Sequence, residues 1–351
     1  MWQLRPEEIR TLALGASLLG GGGGGSTRAA ALLAERALRL TGPLTVLDVG
    51  ELDADAYAAP LGLVGSVTVF EEKPLAGTEV RRAVAALERY SGVRLRAVLG
   101  FEAAGVNALL AVAAAASLEL PLVDADGMGR ALPQLDQTVF TLNGLAVSPM
   151  VAADDKGALA VLDGVDGLLA EQLARSAVVT MGGWAMVIMA PQRGSDITRY
   201  AIPRTIHRAL SVGRVLSRQD YGAVLADHGG RALFRGRVVD VERGPRGRFG
   251  GGSAILQHLD DADRVLRVEF QNENLLVLEN GEVRACVPDI ICLLEADRCV
   301  PVTSEDVRYG LEVDVLVLPC AAAWRTPAGL GLVGPRAFGY DVPYSIPRGE
   351  S

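Results

Sequence analysis

The chain has 351 residues, long enough for two domains of ordinary size. Half of them are apolar and only 5% aromatic, so the interior has to be built from Ala, Val and Leu. A formal charge of −8, without any block of Lys or Arg, argues against nucleic acid or an anionic membrane as a partner.

In chain order, the opening MWQLRPEEIRT carries charges where a secretory signal needs an apolar core, so the expected location is cytoplasmic. EEIRTLALGASLLG sets Ile9, Leu12, Ala13, Ala16 and Leu19 on one helical face. Six glycines follow, Gly20 to Gly25, and then Ser26-Thr27, placed to cap a second helix that runs to about Leu40. Residues 44–50 and 62–70 read as short strands, 77–92 as a helix with a glycine stop, 95–102 as a strand, 104–118 as a helix and 120–126 as a strand. The apolar stretch from Ala103 is broken by Asn107, Ser117 and Glu119, which suits a buried helix and strand better than a membrane span.

Beyond residue 176 the texture changes. SAVVTMGGWAMVIMAP is apolar around a Gly-Gly pair, read as a strand bend, and 203–217 is one more amphipathic helix. Short β-rich runs then dominate, and Asn280-Gly281 between alternating apolar residues is a strong hairpin signal. The expected architecture is an α/β domain with a largely parallel sheet (1–175), followed by a mostly β domain (176–351). Cys286, Cys292, Cys299 and Cys320 form no CxxC pair and read as reduced, buried residues. A zinc site from Cys292, Cys299 and a histidine would fit no standard spacing. His207, on the amphipathic helix, reads as a packed or surface histidine.

The glycine run is not a phosphate loop. Gly20 and Gly25 have the right separation, but the lysine is missing and the lead-in is helical rather than a strand. Two physical readings remain open: backbone N–H groups crowding toward an anionic group at a helix start, or a tight crossing with no room for side chains.

The richest stretch is LPLVDADGMGRALPQ (120–134). Asp124 and Asp126 fall at the C-terminal end of a buried strand, where open α/β sheets place their ligands. Gly127 and Gly129 allow a sharp turn, and Arg130 can grip a carboxylate with two hydrogen bonds. The strand RAVLGFE ends similarly in Glu102, with Asn107 one turn into the next helix. Two acids at adjacent strand ends suit general acid–base work or a divalent metal; capping and ion pairing with Arg130 are the structural alternative. No His-rich motif identifies a metal.

LGGGGGGS, EEKP, FEAAGVNAL and DADGMGRALPQ resemble the N-terminal domain of the S-methyl thiohydantoin desulfurase-like proteins, a family associated with hydantoinases. FQNENLLVLENGEV, VPDII, VRYGLEVDVLV and VGPRAFGYD resemble its C-terminal domain, so the resemblance spans about Glu7 to Tyr340. This chain has GGGGST where members commonly have GGGGDP, and EAAGVN where they tend to have EIGG-N.

The resemblance implies hydrolysis at C2 of an S-methyl thiohydantoin ring, releasing methanethiol and leaving a hydantoin. Such a site needs a base for water, a donor for the atom that gains charge, and an anchor for an anionic substituent. Glu102 or Asp124 suits the base and Asp126 the acid or a metal ligand. Gly22, Gly23, Gly24, Ser26, Asn107 and Gly127 are candidates to contact substrate, with Lys73 or Arg130 as anchor. Asn272 and Glu273, after the strand RVLRVEF, are candidates to close the cleft, whereas Asn274 and Asp289 read as turn residues. The competing reading is a non-catalytic companion of a hydantoinase. A homo-oligomer stays open.

Overall fold

The computed structural model describes residues 1–164, 166–244 and 251–344. The first part of the chain runs β1 (Trp2–Leu4), α1 (Ile9–Leu19), α2 (Arg28–Thr41), β2 (Leu44–Leu47), β3 (Tyr57–Gly65), α3 (Val67–Glu72), α4 (Thr78–Ser91), β4 (Leu95–Gly100), α5 (Gly105–Leu118) and β5 (Leu122–Asp126). It continues with α6 (Val139–Leu142), the β6 (Met150–Ala153) and β7 (Leu159–Leu162) hairpin, α7 (Gly167–Met181), β8 (Trp184–Ile188), β9 (Gln192–Arg193), α8 (Gly194–Tyr200) and β10 (Ile202–Pro203).

These strands form one sheet whose centre, β2–β5–β4–β3, is parallel. Antiparallel β1 borders it on one side, and antiparallel β8, β6 and β7 extend it on the other. The parallel strands β3, β4 and β5 are buried along nearly their whole length because helices cover them, and β3 and β4 are mostly apolar. The run from Ala103 is indeed a buried helix and strand: α5 is apolar nearly all round and packs against α1, α2, β3 and β4.

Two local expectations give way. Residues 62–70 are not one strand: β3 ends at Gly65, and the Ser66 hydroxyl accepts from Val69 N and starts α3. The cap outweighs the β preference of Val67, Thr68 and Val69. The Gly182-Gly183 pair is not a bend within a strand; it ends α7, with Gly182 at φ 105°, and leads into β8. The boundary expected near residue 175 falls inside α7, and the strands from Trp184 to Pro203 complete the first sheet.

α9 (Thr205–Leu216) and α10 (Tyr221–His228) lead to the second sheet, built from β11 (Arg231–Gly244), β12 (Gly251–His258), β13 (Val265–Phe270), β14 (Asn274–Glu279), β15 (Glu282–Cys286), β16 (Ile290–Glu295), β17 (Val300–Val302) and β18 (Glu312–Leu318). It is antiparallel throughout, ordered β15–β14–β13–β12–β11–β18–β16–β17, around a core of Val, Leu, Ile and Phe. Asn280 (φ 48°) and Gly281 (φ 88°) turn the β14–β15 hairpin, as their pairing predicts. The chain then returns: Trp324, in the short helical turn Ala322–Arg325, and Val333 of α11 (Pro327–Val333) pack with Met128, Leu132 and Leu135 of the first domain. No helix among the described residues is long and apolar enough to cross a membrane.

Candidate functional site

A cavity of about 510 Å³ opens between the two domains. Its floor is the glycine segment, Gly22–Gly25. The first domain adds the end of β3, the loop after β4 with Glu102, the start of α5 with Asn107, and residues 132–135. The second domain adds Arg243, Phe270, Asn272, Glu273 and the 303–305 loop.

The glycine segment is where the domains meet, and its bare backbone is the reason. Asn274 N donates to Gly21 O (2.8 Å), Ser304 N to Gly22 O (2.8 Å) and Val106 N to Gly24 O (2.9 Å). A Cβ on Gly22 would lie 2.7 Å from Asn274 Nδ2, and one on Gly24 2.8 Å from the Cα of Gly105. Both also have positive φ, 89° and 75°. The tight-crossing reading therefore holds, and the crossing lines a cavity as well. Thr27 occupies the N-cap of α2 but makes no side-chain cap bond.

Glu102 is buried at the cavity wall. Its Oε1 accepts from Asn107 Nδ2 (3.0 Å) and its Oε2 from Leu132 N (3.1 Å). Asn107 is itself fixed, because its Oδ1 accepts from Leu63 N at 2.7 Å. Burial disfavours the charged form and the nearby Glu273 adds to this, so the Glu102 pKa is pushed up to about 8 despite those hydrogen bonds. Glu273 enters from the second domain, follows β13, and is 3% exposed with Oε2 unpartnered. Burial pushes its pKa up to about 7 against the opposing pull of Arg130. Two acids with raised pKa values thus share one hollow, although 171 positions separate them in sequence.

Other expected site residues lie elsewhere. Asp124 does not line the cavity: its Oδ1 accepts from Ile206 N (2.9 Å) and His207 N (3.2 Å), capping the first turn of α9. Asp126 is spent on loop geometry, accepting from Ala103 N (2.6 Å), Met128 N (2.9 Å) and Gly129 N (2.6 Å). Gly127 is buried against the Phe140 ring. Lys73 pairs with Asp155 at 2.7 Å on the surface, outside the lining, and Ser26 is outside it too. Arg130 is buried behind the glycine segment, donating to the Pro288 and Asp289 carbonyls, and does not reach the cavity. The cavity does hold Gly22, Gly23, Gly24, Glu102, Asn107, Asn272 and Glu273.

Two cavity arginines had no sequence signal. Arg175 of α7 pairs with Glu171 (2.8 Å), whereas Arg243 donates to the Ser304, Glu305 and Val307 carbonyls and stacks on Phe270, 5.3 Å from the ring centroid. The carbonyls that hold Arg243, and the Pro133 carbonyl that also accepts from Arg175 (3.0 Å), belong to distant segments, which a local motif cannot reveal. Among the described residues no three His, Cys, Asp or Glu side chains gather into a group that could hold a metal ion. Among the described residues no disulfide links the cysteines, and they are dispersed: Cys292 Sγ faces Leu18 O and Cys299 Sγ faces Gln219 O.

No curated protein matches this chain. A crystal structure of a protein from Chromobacterium violaceum is similar over 98% of this chain and 99% of that one, with a TM-score of 0.82 and 24% identity, a likeness of fold alone. The model of the S-Me-THD-like N-terminal domain matches residues 7–164, and that of the S-Me-THD-like C-terminal domain matches residues 165–346. The chain therefore belongs to the S-Me-THD-like family.

Proposed function

We propose that this protein is a hydrolase of an S-methyl thiohydantoin-like ring, with Glu273 as general base and Glu102 as general acid. The observation that carries the reading is the pair of buried acids on facing domains of one cavity, with pKa values raised to about 7 and about 8. Near neutral pH a substantial fraction of Glu273 is ionised and most of Glu102 is not, the division of labour that acid–base catalysis requires.

Glu273 takes a proton from water as the oxygen attacks C2, and Glu102 gives its proton to the adjacent ring nitrogen. The tetrahedral carbon then carries a hydroxyl and the methylthio group. As the C2–S bond breaks, the thiolate takes the proton held by Glu273. The hydroxyl proton returns to Glu102 as C2=O forms. Both acids end as they began, one water is consumed, and methanethiol and a hydantoin leave. Asn107 holds the Glu102 carboxyl in place throughout, and the cavity fits a small ring.

The test is methanethiol release from an S-methyl thiohydantoin, followed with a thiol reagent. Glu273→Gln and Glu102→Gln should each lower kcat by about 10²–10⁴-fold, the usual worth of a positioned acid or base. No release from folded native protein would end the catalytic reading. If the native protein then co-purified stably with a hydantoinase, the companion role would replace it.

A further inference from the structure

Arg130 is 1% exposed, yet among the described residues it makes no direct ion pair. Its Nε donates to Ala131 O and its Nη1 to the Pro288 and Asp289 carbonyls, which leaves Nη2 without a partner. Glu273 Oε2 and Asn274 Oδ1 are buried and unpartnered as well. All three side chains abut the same bare backbone. A Cβ on Gly21 would lie 3.3 Å from Arg130 Nη2, one on Gly22 2.9 Å from Asn274 Oδ1, and one on Gly23 2.5 Å from Glu273 Oε1.

We propose that Arg130 is a positioning residue for the base: its cation, close to Glu273 across the side-chain-free Gly21–Gly23 segment, holds Glu273 in the ionised form that accepts the water proton. Glycine matters here because any side chain would push the two groups apart, and the burial of both leaves their attraction less screened than in bulk water. The surrounding charges leave Glu273 as the partner. On the Arg130 side stand Asp289, Cys292 and Cys320. The two thiols, pushed up by burial to about 12 and about 11, are neutral near pH 7. Asp289 Oδ1 already accepts from Cys320 N, Arg325 and Tyr344. On the cavity side stand Glu102, largely protonated near pH 7, and the rim residues Glu305, Arg243 and Arg175, the last tied to Glu171.

The role as base rests on the hydrolase reading, but the charge coupling does not, and the experiment separates the two. In protein carrying ¹³C-labelled glutamate carboxyls, Glu273 is assigned by its loss in Glu273→Gln and titrated without substrate. Arg130→Met should raise its midpoint by about one pH unit or more, the usual effect of removing a nearby opposite charge. In the native protein, the Arg130 guanidinium ¹⁵N signal should titrate with the Glu273 midpoint, and it should be flat in Glu273→Gln. That second measurement decides the matter even if Arg130→Met fails to fold. An unmoved Glu273 midpoint in folded Arg130→Met, or a flat Arg130 signal in the native protein, overturns the proposal. With an active enzyme, the acid limb of kcat/KM should move up in step with the carboxyl midpoint.

Discussion

Glu102 and Glu273 are both nearly buried, so water solvates their carboxylates poorly, and both consequences of that placement are measurable. The first is kinetic. On the proposed acid–base reading Glu273 works ionised and Glu102 protonated, so kcat/KM should follow a narrow bell with limbs near the two raised values, about 7 and about 8. Because the acids feel each other, the limbs belong to the pair rather than to either residue. The second is thermodynamic. Both folded pKa values lie above the ordinary glutamate value of 4.5, so the folded state holds protons that the unfolded state has released. Stability from these groups is therefore full below about pH 4.5 and is lost as pH rises to about 8. At about 1.4 kcal/mol per pH unit of displacement, the two together amount to several kcal/mol. Urea denaturation of the native protein between pH 5 and 8.5 should show that decline. Glu102→Gln and Glu273→Gln should each flatten it, and an equal slope in all three proteins would refute the burial account.

At the level of whole elements, glycine crossings organise the first domain. α1 and α9 touch backbone to backbone, because a Cβ on Gly15 would overlap the Ala209 carbonyl and one on Gly213 the Thr11 carbonyl. Neither carbonyl is a flexible side chain that can step aside. Gly15→Ala should therefore cost about 1–3 kcal/mol, the range for forcing extra volume into a packed interior. Denaturant titration at fixed pH reads this directly, and native-like stability would mean that the helices can slide apart freely. The helices and most strands were legible because their apolar spacing is local. Ile9, Leu12, Ala13, Ala16 and Leu19 do face the interior of α1, as their period predicts, with Ala13 the least enclosed. The α3 segment misled because one serine hydroxyl outweighs three β-favouring neighbours. Asp124 and Asp126 misled in another way: strand ends attract ligands, but backbone N–H groups near a strand end attract carboxylates just as well. Glu102 was legible by its strand end. Glu273 could be named as closing the cleft, but not paired with Glu102, because their meeting is a property of how two domains dock.

That docking governs the molecule as a whole. The cavity has no complete wall within either domain, so its shape depends on the bonds that cross between them. Besides the glycine segment and Arg130, Trp324 Nε1 donates to Met128 O at 2.7 Å while its ring fills the first domain's core. The segment after the second sheet thus pins the turn that carries Met128 and leads to Leu132, whose N–H holds Glu102. Such a molecule should unfold as one unit, although it has two sheets and two family domains. Heating should give a single transition in which far-ultraviolet circular dichroism and tryptophan fluorescence share a midpoint. Trp324→Ala should lower stability by about 3–5 kcal/mol, as large-to-small changes at buried aromatics do. The remaining transition should stay single, because the glycine and Arg130 contacts still couple the sheets. Two separated transitions in the native protein would mean that the domains hold their folds independently. The spacing of Glu102 and Glu273 would then vary with domain motion rather than being set by the fold.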